Sequence, residues 1–307
     1  MRVLIADEVH KECAERLRRA GFEVDEKPDI THEELKKIIN QYDILIVRGR
    51  TKVDKEIIEN ANNLKLIGRV GVGLDTIDVN TAESKGIKVI NTPQMSTIAV
   101  AELTISLILN LLRRTYYAIE SMKKGLWEKK LFYGKELFGK TLGIIGFGRI
   151  GKAVAERAKA FGMKIIVYDI FLDQESLEKI GAIKANSLEE LLRNSDIVSL
   201  HVPLTEETKY MINANTIALM RNGAYLINTS RGEVVNTKDL LNALKSGKLA
   251  GAAIDVFENE PPKEPWEKEL IQLPNVIATP HIGAQTYEAQ IEGAIIMAEN
   301  IIKLFHS

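Results

Sequence analysis

Gly146-Phe147-Gly148-Arg149-Ile150-Gly151 sets three glycines at the spacing that lets a backbone turn close around a pyrophosphate. An apolar run at 141–145 precedes it and an amphipathic stretch at 152–162 follows. A second apolar run at 163–168 then ends on Asp169, 18 residues beyond Gly151. A glycine turn alone is weak evidence. Strand, turn, helix, strand and acid in this order form a dinucleotide-binding fingerprint. The first glycine permits the tight turn, the second lets the backbone approach the phosphates, and the third lets helix and strand pack closely. The helix N-terminus faces the anion. Gly146, Gly148, Arg149, Ile150 and Gly151 are therefore expected to hold the diphosphate, and Asp169 to accept hydrogen bonds from a ribose diol. Ile170 and Phe171 follow, with no adjacent cation for a 2′-phosphate. The pattern selects NAD over NADP.

Three later segments carry polar groups at the ends of apolar runs. They are 228–232, with Arg231; 255–261, with Asp255 and Glu260; and 279–283, with His281. A cation, a carboxylate and an imidazole meeting beside a nicotinamide would suit reduction of a 2-keto acid. The cation would hold carboxylate and carbonyl, the imidazole would donate the proton, and the cofactor would supply hydride. A carboxylate partner orients a histidine and favours its charged form, as a reversible acid/base needs. Arg231 bridging a surface acid and His281 capping a helix are the competing readings.

The elements that must position these groups follow from the patterning. Apolar strands are expected at 3–6, 22–25, 44–47, 65–69 and 87–90, separated by helices to residue 20 and at 33–40, 57–61 and 78–85. Five strands alternating with short helices predict a doubly wound parallel sheet, with Arg48 and Arg69 at strand ends where ligands gather. Residues 98–117 read as one long helix, apolar on most sides and so buried between domains or subunits. Alternation resumes after Asp169, with strands at 197–201, 224–228, 250–255 and 276–278. The tail, 286–306, is one amphipathic helix, expected to pack back on the first domain. The fold class is α/β with two doubly wound parallel-sheet domains: a flavodoxin-like substrate domain, 1–97 plus 284–307, and a Rossmann NAD-binding domain, 98–283.

Composition excludes several classes. Forty-one basic and 42 acidic residues leave a net charge of −1, with no bulk field to attract nucleic acid or an anionic membrane. Cys13, the only cysteine, excludes an intrachain disulfide or cysteine-cluster metal site and reads as a core thiol. No metal-ligand spacing is present. The apolar run at 3–6 is too short for a signal peptide, and 98–112 is interrupted by Glu102 and Asn110. A cytoplasmic protein is expected.

GFGRIG, NTSRGEVVN (228–236), GAAIDVFENEPP (251–262) and TPHIGAQT (279–286), in this order, resemble the D-2-hydroxyacid dehydrogenase family. The resemblance covers nearly the whole chain and implies NAD-dependent oxidation of a D-2-hydroxy acid or its reverse. Carried over by motif, His281 is the acid/base, Glu260 its paired carboxylate and Arg231 the substrate anchor. Asp255 would hold the nicotinamide carboxamide. Pro203 and Thr208 in HVPLTEET (201–208) would line the adenosine side. His201, Val202, Thr229, Ser230, Gly283 and Ala284 join them as cofactor contacts. The family also implies a two-domain protein with a cleft and a homodimer built around the 98–117 helix.

Within the family, VRGRT (47–51), GRVGVGLDTID (68–78) and MKKGLWEKKLFYGKELFGKTLGIIG (122–146) resemble the branch that oxidises D-3-phosphoglycerate to 3-phosphohydroxypyruvate, the first step of phosphorylated serine biosynthesis. That substrate carries a carboxylate and a phosphate. Backbone N–H groups at Gly71, Val72 and Gly73 could form a nest for one, and guanidinium forks at Arg48 and Arg69 could clamp the anionic groups. Arg50, Lys129 and Lys135 are weaker candidates. Gly49 departs from the family pattern, standing where a serine is usual. Many members of the branch continue into a serine-sensing domain; here the chain stops at Ser307, so no serine feedback through such a domain is expected. The rival readings are a glyoxylate or hydroxypyruvate reductase of the same family and a non-catalytic NAD(H)-sensing binding protein.

Overall fold

The computed structural model describes residues 1–306. It separates into two compact units, residues 1–97 with 284 onward, and residues 98–283.

The first unit holds five strands: β1 (Arg2–Ile5), β2 (Glu23–Glu26), β3 (Ile44–Val47), β4 (Leu66–Arg69) and β5 (Lys88–Asn91). All pair in parallel, in the order β2-β1-β3-β4-β5. This is the flavodoxin-like arrangement, and Ile44, Leu45, Ile46 and Val47 are all fully buried, as a strand covered on both faces requires. The connecting helices start where side chains can cap them. Thr31 and Glu34 make a reciprocal box at His32–Ile38, and Asp54 accepts the Ile57 N–H at Lys55–Glu59. The helix Tyr287–His306 closes this unit. Met297 lies over Gly68, where an added Cβ would sit 2.6 Å from its sulfur, and Glu299 pairs with Arg16 at 3.2 Å. Cys13 is buried, and burial pushes its thiol up to about 12, which leaves it unreactive.

The second unit is a seven-stranded, wholly parallel sheet. Its strands are β6 (Thr141–Ile145), β7 (Lys164–Tyr168), β8 (Ile183–Lys184), β9 (Ile197–Leu200), β10 (Ala224–Asn228), β11 (Leu249–Ile254) and β12 (Val276–Ala278). The order is β12-β11-β10-β9-β6-β7-β8. Strand direction of growth reverses at β6 and β9, so the crevice beyond their carboxyl ends is the expected ligand position. The sequence reading lacked β8, two exposed residues with no apolar alternation.

The apolar stretch at 98–117 is not one helix. It runs Thr97–Arg113, breaks at Arg114 (φ 55°) and restarts as Thr115–Lys123. The break frees the Leu112 carbonyl, which accepts the Lys135 N–H at 2.8 Å. Within the single chain its faces differ in burial. Leu107, Ile108, Leu111 and Leu112 enter the core with Leu142, Ile144 and Val154, whereas Ile98 is 53% exposed. No helix among the described residues is long and apolar enough to cross a membrane.

Candidate active site

The glycine turn sits at the carboxyl end of β6. Gly146 has φ 92°, and a Cβ on it would lie 2.5 Å from the His201 carbonyl oxygen. A Cβ on Gly151 would collide with the Gly146 carbonyl. Around Gly148, by contrast, the space is open within 4 Å, and no side chain caps the helix Arg149–Ala160 that begins after it. The helix starts three residues before the amphipathic pattern suggested. Its uncapped N–H groups and the open space over Gly148 together fit a diphosphate at that point.

Asp169 ends β7 as a half-buried carboxylate. It accepts the Phe147 N–H at 2.5 Å and the Phe171 N–H at 2.7 Å, tying the second strand to the glycine turn. The nearby cation Lys152 is committed elsewhere, to Asp173 at 2.5 Å and the Ser176 hydroxyl at 2.9 Å. Asp169→Ala should therefore erode discrimination between NADH and NADPH by about tenfold or more, through loss of the charge that repels a 2′-phosphate. Fluorescence titration of both cofactors measures the ratio; an unchanged ratio would mean that another group reads the ribose.

The loop after β9 frames the other side of the turn. His201 receives the Gly146 backbone from below, and its Nε2 meets the Ser199 hydroxyl at 2.8 Å. Its Nδ1 is sealed from solvent without a hydrogen-bond partner, and burial pushes the ring down to about 3, so it is neutral at physiological pH. The Thr208 hydroxyl donates to the Pro203 carbonyl at 2.7 Å, closing the turn that carries Val202 and Pro203.

The proposed reacting groups come from three consecutive strand ends. After β10, Asn228 accepts the Ser230 N–H (3.1 Å) and hydroxyl (2.8 Å) and donates to the Arg231 carbonyl at 2.9 Å. Thr229 reaches the Thr104 hydroxyl at 3.0 Å, so this turn is braced from the helix Thr97–Arg113. Gly232 packs directly on the Phe257 carbonyl, which only a glycine permits and which sets Arg231 beside the loop that follows β11.

Asp255, 1% exposed, braces the last turn. Its carboxylate accepts the Thr279 hydroxyl at 2.6 Å and the Ile282 and Gly283 N–H groups at 2.9 Å each, and its carbonyl accepts the His281 N–H at 2.8 Å. Burial raises this carboxyl against those bonds. His281 is held in the left-handed region at φ 51°, an unfavourable conformation for a side chain with a Cβ that the surrounding bonds enforce. Its Nδ1 meets the Glu260 carboxylate at 2.7 Å. Burial alone would raise the Glu260 carboxyl. The His281 hydrogen bond and charge, the Phe257 N–H and Arg231 outweigh it and hold the carboxyl below its ordinary value. Glu260 is thus an ionised partner that can stabilise an imidazolium.

In the first unit, Arg48 is half-buried. Its N–H donates to Asp7 at 2.6 Å and its guanidinium to Gln285 at 3.0 Å. Asp7, 3% exposed, also takes the Thr51 hydroxyl at 2.5 Å, and so organises the whole 48–51 turn. Sequence reasoning passed over it because one acid after a strand carries no periodic signal. The Gly71–Gly73 nest needs correction: the Gly71 N–H donates to the Thr92 hydroxyl at 2.9 Å, and the Arg69 guanidinium lies against the Gly71 backbone, so at most Val72 and Gly73 can offer N–H groups. The Arg50 guanidinium donates to the carbonyls of Ala6 (2.8 Å), Pro28 (2.5 Å) and Ile30 (3.0 Å). The Ala284 carbonyl is taken by the Gln290 side chain at 2.7 Å. Among the described residues there is no acidic, histidine or cysteine cluster able to hold a metal.

Residues 105–283 match the family model for the NAD-binding domain of D-isomer specific 2-hydroxyacid dehydrogenases. The chain belongs to that family, and the cofactor of its second unit is NAD. It is 47% identical over 304 residues to a D-3-phosphoglycerate dehydrogenase from Methanocaldococcus jannaschii, an alignment covering 99% of this chain and 57% of the relative. It is also 47% identical over 303 residues to a hydroxypyruvate reductase from Thermotoga maritima, covering 98% and 97%. Among solved structures, D-lactate dehydrogenase from Aquifex aeolicus complexed with NAD and lactic acid superposes with a TM-score of 0.85 at 34% identity, covering 100% of this chain and 94% of that one. The chain thus spans little more than half the length of the phosphoglycerate dehydrogenases it matches.

Proposed function

We propose that the chain is an NAD-dependent dehydrogenase that interconverts D-3-phosphoglycerate and 3-phosphohydroxypyruvate, as a first step in serine biosynthesis. The observation that carries the dehydrogenase reading is the 2.7 Å His281–Glu260 pair, set beside Arg231 in the same unit as the glycine turn. When bound, NADH supplies the hydride. Arg231 anchors the substrate carboxylate, His281 delivers the proton to the carbonyl oxygen, and Glu260 holds the resulting charge in place. Asp255 keeps His281 in its strained conformation. Arg48 and Arg69 are the proposed partners of the substrate's anionic groups, each charge-assisted bond worth roughly 1.5–3 kcal/mol.

A second reading is favoured by similarity: the chain is as identical to the hydroxypyruvate reductase, 47% over 303 residues, as to the phosphoglycerate dehydrogenase, 47% over 304. Both readings share fold, cofactor and acid/base pair. Initial rates of NADH oxidation with phosphohydroxypyruvate, hydroxypyruvate and glyoxylate, compared as kcat/KM, decide between them. A preference of about tenfold or more for the phosphorylated acid, lost in Arg48→Ala, supports the first reading. A preference for either unphosphorylated acid overturns it in favour of a reductase. Absence of turnover with all three moves the assignment to an NAD(H)-sensing binding protein.

A homodimer through the 98–117 stretch is part of this proposal. Within it, Ile98 (53% exposed) and Tyr116 (50%) keep large apolar side chains at the surface of the single chain. Sedimentation at micromolar concentration should show a dimer; a monomer refutes the interface. A cytoplasmic location is proposed with it.

A further inference from the structure

Glu267 is fully buried, yet it has no role in the reading above. It lies in the first turn of the helix Pro265–Gln272, where it closes a capping box with Glu264. Its carboxylate instead accepts four N–H donors from one stretch of irregular chain. Oε1 takes the Asn259 backbone N–H at 2.9 Å. Oε2 takes the Asn259 side-chain amide at 3.2 Å and the Lys263 and Glu264 backbone N–H groups at 3.0 Å each. Glu260 lies between those anchors, followed by Pro261 and Pro262. Its own side chain accepts the Phe257 N–H at 3.2 Å and meets the His281 ring at 2.7 Å. The chain immediately before Glu260 and the chain three and four residues after it are therefore pinned to one buried carboxylate. A neutral helix cap at this position would need one acceptor. Four donors to a sealed anion form a bracket whose span encloses the acid/base partner.

We propose that Glu267 is a positioning residue for the Glu260–His281 pair, holding the 259–264 loop so that the Glu260 carboxylate stays within hydrogen-bond reach of the imidazole. The inference rests on the dehydrogenase reading of that pair. Glu267 touches neither reactant nor cofactor and acts only through Glu260. Its mechanism is the one by which outer hydrogen bonds fix the geometry of reacting groups, where small displacements are expensive in rate.

The test is a double-mutant cycle. Glu267→Gln conserves volume but turns an NH₂ group towards N–H donors. With the keto acid that gives the highest rate, kcat in E267Q should fall about 10- to 100-fold, while KM and the NADH Kd stay within about twofold. Added to a Glu260→Gln background, the same change should lower kcat by no more than about twofold, because the pair it positions is already gone. In the cofactor-free protein, the ¹⁵N signals of the His281 ring in E267Q should move towards their positions in E260Q. The five histidines are distinguished by His281→Ala. Wild-type kcat in E267Q, a full additional loss in the E260Q background, or an unmoved His281 signal overturns the positioning role. Should E267Q fail to fold, Asn259→Ala removes only the 3.2 Å side-chain bond and is read in the same cycle. It should lose about two- to tenfold in kcat, and wild-type kcat there overturns the role. Wild-type turnover in E260Q is a different failure: it removes the acid/base pair itself, and the inference with it.

Discussion

His281→Ala should lower kcat by about 10²–10⁴-fold while leaving NADH affinity within about twofold of wild type. The range is that of a lost general acid/base. The affinity should hold because most of the expected cofactor contacts lie on other loops, the Gly146–Gly151 turn, Asp169 and the chain after β9, while the Asp255 bonds to the Ile282 and Gly283 N–H groups do not involve the imidazole. Two structural details sharpen the expectation. The ring donates or accepts at Nδ1 with Glu260 at 2.7 Å, so its loss leaves Glu260 with the Phe257 N–H, and the carboxyl, now held low by His281 and Arg231, should titrate at higher pH. The backbone at His281 has φ 51°, so alanine there retains the strain and the fold should survive through the Asp255 bonds. Stopped-flow turnover and NADH fluorescence titration on the same preparation provide the check. Wild-type turnover would remove His281 from the mechanism.

Two glycines of one motif should fail in opposite ways. Gly148→Ala introduces a methyl into open space, so the thermal midpoint should stay within about 2 °C of wild type, while NADH affinity falls about 10- to 100-fold because the methyl stands where the diphosphate approaches. Gly151→Ala forces a Cβ against the Gly146 carbonyl, a backbone atom that cannot swing aside. The helix must then move off β6, at about 1–3 kcal/mol or more of overpacking strain, and both stability and cofactor binding should drop. Differential scanning fluorimetry with and without NADH separates the two outcomes. Equal behaviour of the two variants would mean that the open space over Gly148 is not where the cofactor's phosphates lie.

Much of the architecture was readable because it is written locally. Apolar runs of four to six residues between capped helices announce parallel strands, and a glycine turn between strand and helix has few other uses. The fold class, the family and the cofactor came from such runs and motifs. Short, exposed or broken elements were not readable. β8 has no apolar residue in the sheet core, and the break at Arg114 depends on a carbonyl–amide bond from Leu112 to Lys135, residues too far apart for any helical period to report. The same limit explains the anion nest: Gly71-Val72-Gly73 looks like three available N–H groups until Thr92, twenty-one residues on, takes the first.

By itself, the sequence determined that two parallel-sheet units would form, that one would cradle NAD, and which arginine, glutamate and histidine were worth bringing together. It could do so because backbone periodicity and glycine geometry act within a few residues. Only the tertiary structure decided which polar side chains are free for chemistry and which hold loops. Asp7 and Glu267 are charged residues of the kind that do chemistry, yet each is committed to backbone groups brought from elsewhere in the chain or from across a loop. Burial makes such commitments obligatory, since a sealed charge must find its hydrogen bonds, and where those partners lie is a property of the fold.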